Sequence, residues 1–319
     1  MRSWAAPLAA VVALAGVLAA GTAGAADNAR PGFMSPATGA MPVVGWPTPE
    51  KAPANPPATT WRRNAVTFAE PPEPPMLAVV LDDMGLYPSA TRRAIGFPDA
   101  VTLAFLPYVE DVDRLADAAR AAGHELLLHL PMEARGDVPG PGPHHLTVDA
   151  GPADLLADLG WNLDRFDGFV GVNNHMGSRF TADRRGMRLV MRRLKARGLL
   201  FLDSLTTADS VAEAAGRAAG VPVVRRDVFL GGDSREQVRR RLDKAVAQAE
   251  RIGHAVVIGH PDRATMAVLA EWLPDPPANV TLVPLSAIPR HAPPLADGDG
   301  GGTDRQRRKA SAGKTGGES

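Results

Sequence analysis

The sequence contains no cysteine, few aromatic residues and no excess of charge of either sign. Without cysteine, the chain forms no disulfide and offers no thiolate as a nucleophile or metal ligand. Its 35 basic and 35 acidic side chains balance, and aromatic residues make up only 5% of the chain. A nucleic-acid-binding protein normally shows a basic face, so nucleic acid is not an expected partner. The apolar stretch from Leu8 to Ala20 is short for a membrane-spanning helix.

The two ends of the chain differ in composition from its centre. Residues 1–25 have the pattern of a signal peptide, with Arg2, the short apolar stretch and small residues before a cleavage point. Residues 26–75 are rich in proline and are predicted to form a disordered linker, and residues 291–319 a disordered tail. We therefore expect a periplasmic or secreted protein with no stable membrane span after cleavage of the signal. An uncleaved anchor is the alternative.

The centre of the chain, residues 76–290, is long enough for one sizeable domain. Short apolar runs alternate there with segments of helical periodicity, which predicts a parallel sheet with helices outside it. Seven or eight such units favour a distorted (β/α) barrel, and an open doubly wound sheet is the alternative. The predicted strands are residues 77–81, 101–106, 126–130, 169–172, 199–202, 221–224, 255–258 and 280–283.

Polar residues follow nearly every predicted strand, and the pair Asp82-Asp83 at the end of the first strand is the strongest case. Neighbouring strand residues point to opposite faces, so we expect one carboxylate to enter a pocket and the other to point sideways. Burying either charge is costly unless a cation or hydrogen-bond donors meet it. His129, His175 and His260 end other strands, and carboxyl ends of parallel strands share one edge. A metal or catalytic centre is therefore predicted at this edge.

One carboxylate with two neutral imidazoles suits zinc, and cobalt, nickel or ferrous iron are alternatives. Three protein ligands leave a position for water, and a free neighbouring carboxylate can take the proton of that water. This set of residues suits metal-assisted hydrolysis of an amide or an ester. Taken singly, the other polar residues have simpler explanations: Asp203 caps a helix, Asp227 pairs with a neighbouring arginine, and Asn173-Asn174 forms a turn.

Several motifs resemble those of the divergent polysaccharide deacetylase family. They are Leu81-Asp82-Asp83-Met84-Gly85, His129-Leu130-Pro131-Met132-Glu133, Asn173-Asn174-His175-Met176-Gly177-Ser178, Phe201-Leu202-Asp203-Ser204, Arg226-Asp227-Val228-Phe229-Leu230 and Ile258-Gly259-His260-Pro261. The resemblance covers residues 77–288. It implies a distorted barrel of the carbohydrate esterase type and a polysaccharide or peptidoglycan-type glycan as partner.

The resemblance also implies roles for individual residues. Asp82 matches the catalytic base, His260 matches the catalytic acid, and Asp83 and His129 match metal ligands. Glu133 stands where ordinary polysaccharide deacetylases carry a second ligand histidine, so His175 is the candidate for the missing imidazole. The remaining strand-end residues are predicted to contact substrate: Glu133, Asn174, Asp203, Arg226 and Asp227.

Three functions are consistent with these observations. The first is a metal-dependent deacetylase acting on an acetylated glycan. The second is a non-catalytic glycan-binding or envelope-scaffold protein that keeps the barrel, which Glu133 in place of a histidine would permit. The third is another metallohydrolase such as a phosphatase, although the sequence has no phosphate-binding P-loop.

Overall fold

A computed structural model of the chain describes residues 60–67, 73, 75–136, 138 and 140–291. The predicted signal peptide, most of the predicted linker and nearly all of the predicted tail lie outside these residues. The described part contains nine strands, all in one sheet with parallel pairing. They are β1 (Met76–Met84), β2 (Thr102–Phe105), β3 (Leu126–Met132), β4 (Gly171–Met176), β5 (Leu200–Asp203), β6 (Val223–Arg225), β7 (Val228–Phe229), β8 (His254–Gly259) and β9 (Thr281–Val283).

Helices connect most of these strands, in the order expected for a β/α fold. They are α1 (Thr60–Asn64), α2 (Pro88–Ile95), α3 (Val112–Ala121), α4 (Pro152–Leu163), α5 (Arg184–Arg197), α6 (Ala212–Ala219), α7 (Arg235–Ile252), α8 (Arg263–Trp272) and α9 (Ile288–His291). Within the described ranges, none of these helices is long and apolar enough to cross a membrane.

The strand order is β6-β5-β4-β3-β2-β1-β8-β7, with β9 beside the start of β1. The two outer strands, β6 and β7, are separated by only two residues in sequence. The backbone N–H of Arg226 donates to Asp203 of β5, and that of Asp227 donates to Val256 of β8. One continuous segment therefore bonds to both edges of the sheet, which curls into the predicted distorted (β/α) barrel. The sequence prediction missed β7 because two residues are too few for a recognisable apolar run.

Alternate residues of each strand pack in two separate layers. In β1, Leu77, Val79 and Leu81 contact the helices, whereas Ala78 and Val80 belong to the smaller cluster inside the barrel. The described side chains inside the barrel are mainly apolar, and polar side chains gather where the strands end. This division places Asp82, which continues the inner set of β1, at the end where the strands finish.

The structure corrects one part of the predicted linker. Residues 60–67 include the helix α1, and Trp61 is only 2% exposed within the inner cluster. The Trp61 N–H donates to the Gly198 carbonyl, and the Asn64 amide donates to the Phe169 carbonyl at 2.9 Å. The buried indole stabilises a short helix that the proline-rich flanking sequence does not predict. Burial of Trp61, and not helix propensity, therefore determines the conformation of this segment.

The substitution Trp61→Ala should therefore destabilise the whole barrel. Removing a fully buried indole costs about 3–5 kcal/mol of unfolding free energy, measured by urea denaturation. Arg63→Ala changes an exposed residue of the same helix and should alter the free energy by no more than about 0.5 kcal/mol. Equal stability of the two variants would contradict the assignment of Trp61 to the core.

The carboxyl group of Glu125 is buried at the end of the barrel away from Asp82. Glu125 is 1% exposed, its Oε1 accepts a hydrogen bond from the Ser286 N–H at 2.8 Å, and its Oε2 has no hydrogen-bond partner among the described residues. Burial raises the pKa of Glu125 to about 7 from an ordinary value of 4.5, although the bonds from Ser286 oppose the shift. The folded protein therefore holds this proton more tightly than the unfolded chain does.

Stability should consequently fall as pH rises through the window from 4.5 to 7, and remain lower above it. The loss should be on the order of 2–3 kcal/mol, and Glu125→Gln should remove most of it. Thermal unfolding at pH 5 and at pH 8 measures the difference. The variant should gain stability mainly at pH 8. An unchanged pH slope in the variant would show that Glu125 is not the group responsible.

Candidate metal centre and active site

The end of β1 departs from regular strand geometry at its two aspartates. Leu81 pairs with Leu103 of β2 and Met84 with Phe105, so two residues of β1 oppose one of β2. Asp83 has a φ of 59°, in the left-handed region. This β-bulge turns Asp83 away from the helices, and both carboxylates face the open end of the barrel. The expectation that they would point to opposite sides is wrong, because alternation holds only in a regular strand.

Asp83, His129 and His175 bring three ligand atoms together. The distance from Asp83 Oδ1 is 3.3 Å to His129 Nε2 and 3.1 Å to His175 Nδ1, and the two nitrogens are 3.1 Å apart. Two ligands bound tetrahedrally to one zinc ion at 2.0–2.1 Å lie about 3.3 Å apart. The three atoms therefore have the spacing that a small divalent cation requires.

Asp83 Oδ1 is also a buried oxygen without a hydrogen-bond partner in the described structure. Burial by itself would raise the pKa of Asp83, but His129 and His175 outweigh burial and hold that pKa well below its ordinary value. The carboxylate is thus ionised. An ionised, buried carboxylate oxygen between two imidazoles fits a bound cation.

The two imidazoles differ in electrostatic environment. Burial lowers the pKa of His175, and the nearby His129 adds to this effect, which favours the neutral form that binds metal. Burial acts in the same direction on His129, but the carboxylates of Asp82 and Asp83 outweigh it and raise the pKa of His129. A cation binding here must therefore displace a proton from His129 at low pH.

Asn173 is the most informative residue that the sequence prediction missed. Its Nδ2 donates to Asp82 Oδ1 at 2.7 Å and lies 3.2 Å from Ser204 Oγ, and its Oδ1 is 3.0 Å from His129 Nδ1. A carboxylate only accepts, so the amide oxygen must face His129 and accept its Nδ1 proton. This tautomer leaves His129 Nε2 free for the metal. The sequence offered one indication of this role, which is that Asn173 lies two residues before His175 on β4.

Asp82 stays outside the ligand triangle. It is 2% exposed, and its Oδ2 lies 3.7 Å from His129 Nε2. Burial raises the pKa of Asp82, although His129 and His260 oppose the shift. Its Oδ1 is occupied by Asn173, so Oδ2 is the atom available to exchange a proton.

His260 stands on the opposite rim, just after β8. Its side chain is 45% exposed, and its Nε2 lies 3.8 Å from Asp83 Oδ2. The ring packs edge-on against Phe229 at a centroid distance of 5.1 Å. An exposed imidazole beside the metal ligands can exchange protons with both solvent and a bound molecule.

The five residues predicted to contact substrate lie elsewhere or are engaged in other contacts. The Glu133 carboxylate pairs with Arg179 and accepts the Val148 N–H at 2.8 Å, so it fastens a loop rather than completing the metal site. Asn174 donates to the Met176 carbonyl and accepts the Ser204 N–H, at 2.8 and 2.9 Å. In the structure, the side chains of both residues therefore make contacts within the protein.

Asp203 faces away from the barrel interior and accepts hydrogen bonds from the Leu205 N–H and the Ser210 hydroxyl, at 2.9 and 2.7 Å. Arg226 donates to the carbonyls of Ser204 and Leu205, at 2.7 and 2.9 Å. It therefore positions the loop after β5.

Asp227 is exposed but lies too far from the open end of the barrel for the predicted contact with substrate. Its Oδ2 accepts the Val256 N–H at 2.8 Å. Val256 pairs with Ala78, which is four residues and about 13 Å before Asp82 along β1. This carboxylate helps to close the barrel instead.

Comparisons with known proteins find a matching family model and related sequences. A family model described as divergent polysaccharide deacetylase matches residues 79–288. The protein YibQ of Escherichia coli K12 is 33% identical over 235 residues, which cover 72% of this chain and 73% of YibQ. A Haemophilus influenzae protein is 33% identical over 67% of this chain and 77% of its own length. Both relatives are described as uncharacterised.

One solved structure has a similar fold. The uncharacterised protein ATU2773 of Agrobacterium tumefaciens C58 superposes with a TM-score of 0.69 at 28% identity. The match covers 72% of this chain and 94% of that protein. The similarity thus spans almost all of the domain that carries the site.

Substitution of Asn173 tests its effect on the metal ligands. Asn173→Ala should weaken zinc binding about 10- to 100-fold, the usual cost of removing a group that orients a ligand histidine. Competition with a chromogenic chelator measures the affinity. Ser204→Ala removes a different Asn173 contact and should change the affinity little. Equal zinc affinity of wild type and Asn173→Ala would contradict the orienting role.

Proposed function

Because the chain belongs to the divergent polysaccharide deacetylase family, we propose that it is a metal-dependent hydrolase that removes acetyl groups from an envelope or extracellular glycan. The observation that carries this proposal is the ligand triangle of Asp83, His129 and His175 with the unligated carboxylate of Asp82 beside it. A purely structural metal site would have no need of a buried, unligated carboxylate 3.7 Å from a ligand atom.

The cofactor is proposed to be a divalent metal, and the chemistry of its ligands favours zinc. Asp83 Oδ1, His129 Nε2 and His175 Nδ1 would hold it, and protein ligands of this number leave room for water. When bound, such an ion polarises a carbonyl and makes water more acidic. The place of Glu133 in the family pattern does not weaken this set, since His175 supplies the third ligand atom.

Two residues of the chain are proposed to move protons. Asp82 Oδ2 takes the proton of the attacking water, and burial favours this because it raises the pKa of the carboxyl toward neutrality. Asn173 holds the other oxygen and so fixes the direction of Oδ2. His260, on the exposed rim, donates a proton to the leaving amine or hydroxyl of the sugar.

The surface around the site supports a glycan as substrate. A cleft of about 730 Å³ contains Asp83 and His260, and a second cleft of about 690 Å³ lies on the other side of Leu86. Both volumes fall within the range of ligand-binding clefts. The proposed location is the periplasm or the exterior of the cell, supported by the signal-like pattern of residues 1–25, which lie outside the described structure.

Two neighbouring substitutions separate chemistry from metal binding. Asp82→Asn should abolish most acetate release, by about 100-fold or more, while the protein still binds one zinc ion. Asp83→Ala should lose both zinc and activity. Acetate release from acetylated chito-oligosaccharides and acetylated polysaccharides measures activity, and elemental analysis measures the metal.

Zinc-loaded wild type that releases no acetate from any of these glycans, yet binds them, would favour a non-catalytic glycan-binding protein. Full activity of Asp82→Asn would rule out this residue as the base. Circular dichroism of each variant checks that the fold is retained, since Asp82 also accepts a hydrogen bond from Asn173.

A further inference from the structure

The larger cleft beside the site lies between α2 and α8, the helices that follow β1 and β8. Arg93 of α2 and Arg263 at the start of α8 both line it, and both are exposed. Asp83 and His260 lie in the same cleft. A molecule bound at the proposed metal site and extending into this cleft would therefore pass two guanidinium groups.

These two arginines differ from the others around the open end of the barrel. Arg135 pairs with Asp209 at 2.7 Å, Arg179 pairs with Asp149 at 3.0 Å, and Arg226 binds two carbonyls. Within the described ranges, the side chains of Arg93 and Arg263 have no hydrogen bond, ion pair or ring contact. Both guanidinium groups can therefore bind a ligand.

The acidic groups of the cleft form no ion pair with either arginine in the described structure. Asp262 uses both carboxylate oxygens to cap α8, accepting the Thr265 N–H at 2.8 Å and the Thr265 hydroxyl at 2.7 Å. Asp83 belongs to the ligand triangle. The remaining lining is small or apolar apart from Tyr87, which is 58% exposed and can pack against the flat face of a sugar ring.

We propose that the cleft between α2 and α8 is a subsite for a negatively charged sugar unit, so that the glycan substrate carries carboxylates near the acetyl group. This inference rests on the proposed function for its assignment of the substrate as a glycan. Guanidinium groups bind carboxylates through paired hydrogen bonds, and Arg93 and Arg263 supply them from two sides of the cleft.

Binding of unacetylated probes tests the subsite without any turnover. Calorimetry compares tetragalacturonate, which carries a carboxylate on every sugar, with neutral cellotetraose of equal length, on the full zinc-loaded chain. Wild type should bind the acidic probe at least about tenfold more tightly, and R93A/R263A should lose this preference. The preference should also weaken at high salt, since the arginines are exposed.

Arg188→Ala is the matched control, because Arg188 is an exposed arginine of α5 that lines neither cleft. It should keep the preference for the acidic probe. Equal affinity of wild type for both probes, no binding of either at millimolar concentration, or an unchanged preference in R93A/R263A would overturn the inference. Loss of acetate release with arginine-dependent binding intact would instead contradict only the proposed hydrolase activity.

Discussion

The candidate metal centre of this protein depends on the β-bulge at the end of β1. In a regular strand Asp82 would face the barrel interior and Asp83 the surrounding helices. The extra residue and the left-handed conformation of Asp83 turn both carboxylates toward His129 instead. A non-glycine residue in this conformation costs about 1–2 kcal/mol, which the contacts of the site must offset. Met176 and Leu205, at the ends of neighbouring strands, have the same strained conformation.

The barrel supports this centre by separating polar groups into two ends. The buried side chains of the interior are mainly apolar, and among the buried polar atoms of the described site residues Asp83 Oδ1 lacks a hydrogen-bond partner. Asn173 joins Asp82 to His129, and Asn174 and Arg226 hold the loop after β5. On the side of β3 to β5, hydrogen bonds between polar groups therefore hold the open end of the barrel together.

The side formed by α2 and α8 is different. Arg93, Arg263 and Tyr87 are exposed there, and the arginines have no partner in the described part of the chain. Because one rim is internally paired and the other is open, a long substrate would enter from the α2 and α8 side. The two clefts on either side of Leu86 give such a chain a path past the metal ligands.

The sequence by itself determined the alternation of strands and helices, the polar strand ends and the three candidate ligand residues, because apolar periodicity and strand-end position are local properties. Only the tertiary structure decided that Asn173 joins Asp82 to His129, while Glu133, Asp203 and Asp227 have structural contacts. It also decided that β7 closes the barrel and that Trp61 fills the core. The direction of a side chain, the position of a bulge and a hydrogen bond to a residue over 40 positions away all depend on packing between elements. No local sequence pattern predicts that packing.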